Sequence, residues 1–183
     1  VKVDLDKIES MIALPFHPSN AYTIKELNEN LEEILEKTEI EAGKQISNPD
    51  LKLDLRSKIV DGKLKVDQAE IAGCSGGTYE NIQAAAQVLK GKELTNDYFT
   101  LSIYPASTPI YSQMLEDGSA KTLTQAGALI KTAFCGPCFG AGDVPAHGSL
   151  SIRHTTRNFP NREGSKPGEG QLASVALMDA RSI

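Results

Sequence analysis

The sequence predicts an α/β fold, a three-layer α/β/α sandwich around a largely parallel sheet. Strand-like runs alternate with amphipathic helical runs along most of the chain, the pattern of layered α/β domains. Helix caps fall where those runs change character. The chain has 183 residues, 40% of them hydrophobic, enough to bury a core without disulfide staples.

The elements follow in order. Residues 1–22 are punctuated by Pro15 and Pro18 and read as an irregular lead-in, ahead of a single domain over 23–183. Thr23 with Glu26 forms a capping box. Ile24, Leu27, Leu31, Ile34 and Leu35 then recur at helical spacing, opposite an acidic, solvated face. Asp61-Gly62 closes a hairpin between SKIV and KLKV. VDQAEIAG reads as a strand, followed by the turn CSGG and a helix, TYENIQAAAQVLKG, with Thr78 as N-cap and Gly91 as C-cap. A second strand, YFTLSIYPAS, leads to a helix starting near Thr108-Pro109 and stopping at Asp117-Gly118. A further helix, LTQAGALIKTAF, runs up to FCGPCFG, and GSLSIRHTT is a third strand. After the polar loop RNFPNREGSKPGEG the chain ends in a helix, GQLASVALMDARSI. No internal repeat or low-complexity linker interrupts this order.

Composition excludes several classes. The net charge is −5, with no basic run and no RNP-like aromatic pattern, which argues against a nucleic-acid partner. No apolar run approaches the length of a transmembrane helix, and VKVDLDKIES is not a signal peptide. The chain lacks an initiator Met, as expected of a piece of a longer protein. Three cysteines, an odd number, do not suit a secreted disulfide scaffold, so a reducing cytoplasm is expected.

The chemistry lies with those cysteines. Cys74 stands at the carboxyl end of a strand, in the crevice where open α/β sheets bind ligands. Gly73, Gly76 and Gly77 let the chain turn sharply there and aim N–H groups at an anion. Taken alone, Cys74 reads more simply as a small core residue in a glycine turn. Cys135 and Cys138 flank Gly136-Pro137. A dithiol oxidoreductase would need a strand before the pair and a long helix after it, and neither reads from these flanks. A structural zinc would need a fourth ligand, with His147 or His154 as the candidates. An iron–sulfur cluster takes Cys thiolates, and a cubane held by only three leaves one iron open for Lewis-acid work. Arg153, Arg157 and Arg162 gather within ten residues of an otherwise acidic chain, each able to fork onto a carboxylate.

Read together, GCSGGTYENIQAAA, then CGPCFG, then TTRNFPNRE resemble, in order, the three motifs of the cluster-bearing domain of the aconitase family. LDKIESMIALPFHPSNAY is similar to the stretch that precedes them. The resemblance covers most of the chain. It implies the fold of the aconitase iron–sulfur domain and a hydro-lyase that dehydrates and rehydrates a hydroxy-polycarboxylic acid. It matches Cys74, Cys135 and Cys138 to the ligands of a [4Fe-4S] cluster with one open iron. That cluster is lost readily in air. Arg157 and Arg162 match substrate-binding arginines, and Ser75, Gly76, Thr156 and Asn158 fall in the surroundings of cluster and substrate.

Departures accompany the match. The family's Thr-Asn after its first cysteine is Ser75-Gly76 here, the Asn before its Arg-Asn-Phe is Thr156, and the Gly before its second arginine is Asn161. These suit a divergent member with a substrate of its own. The family completes its site with further domains, among them a swivelling domain that supplies a proton-abstracting serine. Nothing in this sequence resembles that serine's motif. The chain alone is therefore expected to be inactive and to need those domains as partners. The competing reading is a non-catalytic relic or sensor, using the same thiols for zinc or as a redox pair.

Overall fold

The computed structural model describes residues 2, 4–46, 53–94, 98–146, 148–155 and 176–181, the last stretch by its backbone. The elements are β1 (Met11–Ala13), β2 (Ala21–Thr23), α1 (Ile24–Glu29), α2 (Leu31–Gly43), β3 (Ile59–Val60), β4 (Lys63–Leu64), β5 (Gln68–Ile71), α3 (Gly73–Gly76), α4 (Tyr79–Leu89), β6 (Thr100–Ile103), α5 (Thr108–Glu116), α6 (Ser119–Gln125), β7 (Leu129–Ile130), β8 (Leu150–His154) and β9 (Ala176–Arg181). Short 3₁₀ turns cover Leu5–Lys7, Arg56–Lys58 and Gly136–Phe139. Among the described residues, no helix is long and apolar enough to cross a membrane.

Among the described residues, seven strands make one sheet in the order β2-β1-β9-β8-β5-β6-β7. The five from β9 to β7 run parallel, and β1 and β2 are antiparallel at one edge. This is the α/β class with a largely parallel sheet that the alternation of elements predicts. The β3–β4 hairpin also forms as expected. Asp61 and Gly62, at φ of 51° and 72°, take the two left-handed positions that such a tight hairpin demands.

Register decides what each face carries. Gln68 lies beside Ser151, Glu70 beside Arg153, and Glu70 beside Ser102. One face is therefore polar at these positions, and the other presents Ala69, Ile71, Leu101 and Ile103. That second face buries against α4, α5 and α6 through Ile82, Met114 and Leu123. A second cluster joins Leu27, Leu31, Ile34 and Leu35 of α1 and α2 to Ile12, Leu14, Leu55 and Leu150. Each fully buried leucine or isoleucine contributes about 1.5–3 kcal/mol. The capping box at Thr23 is realised. Its Oγ1 accepts from the Glu26 N–H at 3.0 Å, and the Thr23 N–H donates to Glu26 Oε2 at 2.8 Å.

Several expectations are corrected. Residues 11–13 and 21–22 lie in the stretch expected to be irregular, yet β1 forms on the ladder edge that β9 offers and β2 pairs in turn with β1. The acidic helix is two helices, broken at Asn30 (φ −129°, ψ 38°). The helix expected through 123–134 ends at Gln125. Gly127, at φ 99°, turns the chain out of the helix, and Leu129 and Ile130 pair with β6 instead. The C-terminal helix expected over 170–183 is a strand at 176–181, taken up on both edges by β8 and β1. Helical periodicity is a local signal, and two waiting ladder edges outweigh it.

Candidate functional site

Cys74 sits where the sequence places it, in α3 just beyond the carboxyl end of β5. The turn is wedged between strand ends. The Ala72 N–H donates to the His154 carbonyl at 3.1 Å, and the Tyr104 N–H to the Ile71 carbonyl at 2.8 Å. A Cβ at Gly76 would run into the His154 carbonyl, and one at Gly77 into the Tyr104 carbonyl. Close backbone packing therefore accounts for Gly76, where the family pattern has a larger residue. The Ser75 side chain is exposed, and its carbonyl accepts from Asn81 Nδ2 at 2.7 Å.

The segment FCGPCFG follows β7 and folds as a tight 3₁₀ turn. The Cys138 N–H donates to the Cys135 carbonyl at 3.0 Å, and the Ala141 N–H to the Gly136 carbonyl at 2.8 Å. Gly140, at φ 80°, ends the turn. A strand does approach the pair, contrary to the helical approach expected, but no long helix leaves it. The dithiol-oxidoreductase architecture is thus still incomplete. None of the three cysteines is in a disulfide. Cys74 and Cys135 are exposed, whereas Cys138 is only 4% exposed and packs with Ala72 and Tyr104.

The two cysteine loops meet. Gly73 has φ 74°, and a Cβ there would collide with Cys138 Sγ. The residue before Cys74 must therefore lack a side chain for two reasons, conformation and space. The two loops that carry the thiols meet at one end of the sheet, and thiols are the donors an iron–sulfur cluster takes. Among the described residues, no three of His, Cys, Asp and Glu form a group able to hold one metal ion. A single zinc needs its ligands on one centre at about 2.0–2.3 Å, whereas a cluster spreads its thiolates over separate irons. His154, one candidate fourth zinc ligand, stands half-buried on β8 at the register of Ile71. His147, Thr156, Arg157, Asn158, Asn161 and Arg162 lie outside the described residues.

Beneath the CGPC turn the sheet carries a buried polar layer. Arg153, 1% exposed, faces Glu70, also 1% exposed. Arg153 Nη1 lies 2.6 Å from Glu70 Oε2, and Nη2 donates to Oε1 at 2.8 Å. Arg153 Nη1 also donates to the Pro137 carbonyl at 2.7 Å. Gln68 Nε2 donates to the Asp143 carbonyl at 2.8 Å, and the Ser151 hydroxyl to Gln68 Oε1 at 2.9 Å. The Tyr104 hydroxyl donates to Asp143 Oδ2 at 2.7 Å. The strands therefore grip the thiol segment at Pro137 and again at Asp143.

These contacts set charge states. Burial by itself would raise the Asp143 carboxyl. Hydrogen bonds from Ser102 and Tyr104, with Lys131 and Arg153 nearby, outweigh it and hold that carboxyl below its usual range. The Tyr104 hydroxyl is pushed up, first by burial and then by its bond to the Asp143 carboxylate. Tyr104 stays a neutral donor.

Gln68, Glu70, Ser151 and Asp143 were not singled out as site residues from the sequence. A signal was present. Parallel strands buried on both faces are usually continuous apolar runs, yet QAEI and LSIR alternate polar with apolar. Arg153 was grouped with Arg157 and Arg162 as a candidate carboxylate fork. Burial turns its fork inward, onto Glu70 and the CGPC backbone.

A largely parallel α/β sheet with the Cys74 turn at a strand's carboxyl end, and the CGPC turn packed against it, defines a domain of the open α/β class, in which ligand sites lie at that end of the sheet. The family model described as aconitase family (aconitate hydratase) matches residues 1–183. The chain belongs to the aconitase family. It is 32% identical over 171 residues to a 3-isopropylmalate dehydratase large subunit of Clostridium kluyveri, covering 91% of this chain and 40% of that protein. A large subunit 1 of Methanopyrus kandleri is 32% identical over 182 residues, 99% of this chain and 35% of the relative. One of Halothermothrix orenii is 36% identical over 140 residues, 76% and 33% respectively. The chain thus spans two-fifths or less of the length of these curated relatives.

Proposed function

We propose that this chain is the cluster-bearing part of a hydro-lyase that removes and restores water on a hydroxy-polycarboxylic acid of the 3-isopropylmalate kind. The observation that carries the reading is the contact between Cys138 Sγ and the Gly73 backbone, which joins the Cys74 turn to the CGPC turn. The relatives' printed name, 3-isopropylmalate dehydratase large subunit, supports the reaction class and points to that substrate.

In this reading Cys74, Cys135 and Cys138 hold a [4Fe-4S] cluster as thiolates. When bound, such a cluster supplies an open iron that polarises the departing hydroxyl as a Lewis acid. The chain's own part is to hold and orient. Arg157 and Arg162 grip the substrate carboxylates bidentately, and their charge stabilises the carboxylate side as negative charge builds there. Ser75, Gly76, Thr156 and Asn158 shape the surroundings. Gly76 keeps the cysteine turn low against β8, so that Cys74 stands clear in solvent. Proton abstraction falls to a residue beyond this chain, on the other domains or subunits of the complete enzyme, including a swivelling domain. The chain alone then binds the cluster without turning over substrate. A reducing cytoplasm suits three thiols kept out of disulfides.

The test is iron, sulfide and zinc content with an absorption spectrum, on protein reconstituted without oxygen. About four irons and four sulfides per chain are expected, with the signal lost in Cys74→Ala. Zinc alone, or a cluster indifferent to Cys74→Ala, would refute the three-thiol site.

A further inference from the structure

A guanidinium buried to 1% exposure is expensive to desolvate. An apolar pair at positions 70 and 153 would pack this face at less cost, so stability alone does not account for the ions. Geometry does. Arg153 spends its donors on three separate pieces of the protein. Nη2 donates to Glu70 Oε1 of β5 at 2.8 Å, and Nη1 lies 2.6 Å from Oε2 as an ion pair. Nε donates to Ser151 Oγ of β8 at 3.2 Å. Nη1 also reaches the Pro137 carbonyl, between Cys135 and Cys138, at 2.7 Å. Nη2 reaches the Asp143 carbonyl, beyond the turn, at 3.4 Å. A planar, rigid group thus ties two central strands to the thiol segment inside the CGPC turn at Pro137 and beyond it at Asp143.

We propose that the Glu70–Arg153 pair is the positioning element of the thiol site. It fixes the Pro137 carbonyl, and with it the directions in which Cys135 and Cys138 present their sulfurs. Glu70 orients the fork, and Arg153 transmits that orientation to the turn. A lysine at 153 keeps the charge but lacks the planar fork, and its single ammonium does not span Glu70, Ser151 and Pro137 together. The inference goes beyond the hydro-lyase reading, because it holds whatever ligand the three thiols take.

The test uses the 183-residue chain without metal. It compares the wild type with Arg153→Lys and with the double variant Glu70→Leu/Arg153→Met. Three readouts are followed: urea unfolding, amide hydrogen exchange, and the labelling rate of Cys138 with iodoacetamide. The double variant is expected to unfold cooperatively, with exchange at Ile82 and Ile103 unchanged. The Cys138 and Ala141 amides should exchange, and Cys138 should label, about tenfold faster or more, the weight of one charge-assisted hydrogen bond. Arg153→Lys should loosen the same turn. Wild-type protection at Cys138 and Ala141 in either folded variant overturns the proposal. Loss of folding in both also overturns it, since the pair would then hold the fold and not the turn. No readout needs iron, so failure here leaves the hydro-lyase reading standing, and failure to assemble a cluster leaves this one standing.

Discussion

Gly73→Ala puts a methyl group where Cys138 Sγ now lies. Two costs add. Gly73 has φ 74°, and an L-residue in the left-handed region costs about 1–2 kcal/mol. Forcing an extra carbon against the buried sulfur costs about 1–3 kcal/mol more. Together they come to roughly 2–5 kcal/mol. With a urea slope of about 1–3 kcal/mol/M, the midpoint should fall by about 1 M or more. Gly91→Ala is the control. Gly91 has φ 71° but nothing within 4 Å of its missing side chain, so it carries the conformational cost alone. The difference between the two variants isolates the contact between the cysteine loops. Iodoacetamide labelling adds a second measure, because relief of the clash must push Cys138 outward and speed its reaction. Equal destabilisation in both variants, with Cys138 as protected as in the wild type, would refute the contact and the joining of the loops inferred from it.

Two further outcomes follow from the same physics. Ile82→Ala empties the centre of the α4–α6 cluster, where Ile82 is fully buried, and should lower stability by about 2–5 kcal/mol in urea unfolding. The Asp67 carboxyl would be raised by burial, but the Lys58 ammonium at 2.7 Å and the Leu150 N–H at 2.8 Å outweigh that and hold it below its ordinary 3.8. A depressed folded value means its stabilisation is present above the unfolded value and is lost as pH falls through the folded one. Below pH 4, Asp67→Asn should therefore lose stability less steeply than the wild type in a urea series, and matching slopes would show that Asp67 is not responsible.

Where sequence reading succeeded, the signal was local and chemical. The capping box at Thr23 and Glu26 and the Asp61-Gly62 hairpin are short-range geometries that those residues dictate by themselves. The placement of Cys74 at the end of β5 followed from a strand running into a glycine turn. Where it failed, a distant partner decided. Leu129 and Ile130 extend a helical pattern, but Gly127 breaks it and β6 supplies hydrogen bonds across the sheet. Residues 176–181 read as helix and become strand because β8 and β1 each present an edge.

By itself the sequence determined the α/β class, the aconitase-type order of its cysteine and arginine motifs, and the three thiols. These rest on residue identity and on spacing within one turn or one strand. Tertiary structure decided that Cys138 is buried against Gly73 while Cys135 faces solvent. It also decided that Arg153 turns inward to Glu70 and the Pro137 carbonyl. The physical reason is strand register. β5 and β8 are far apart in the chain, and only their parallel pairing sets Glu70 beside Arg153 beneath the turn that carries the thiols.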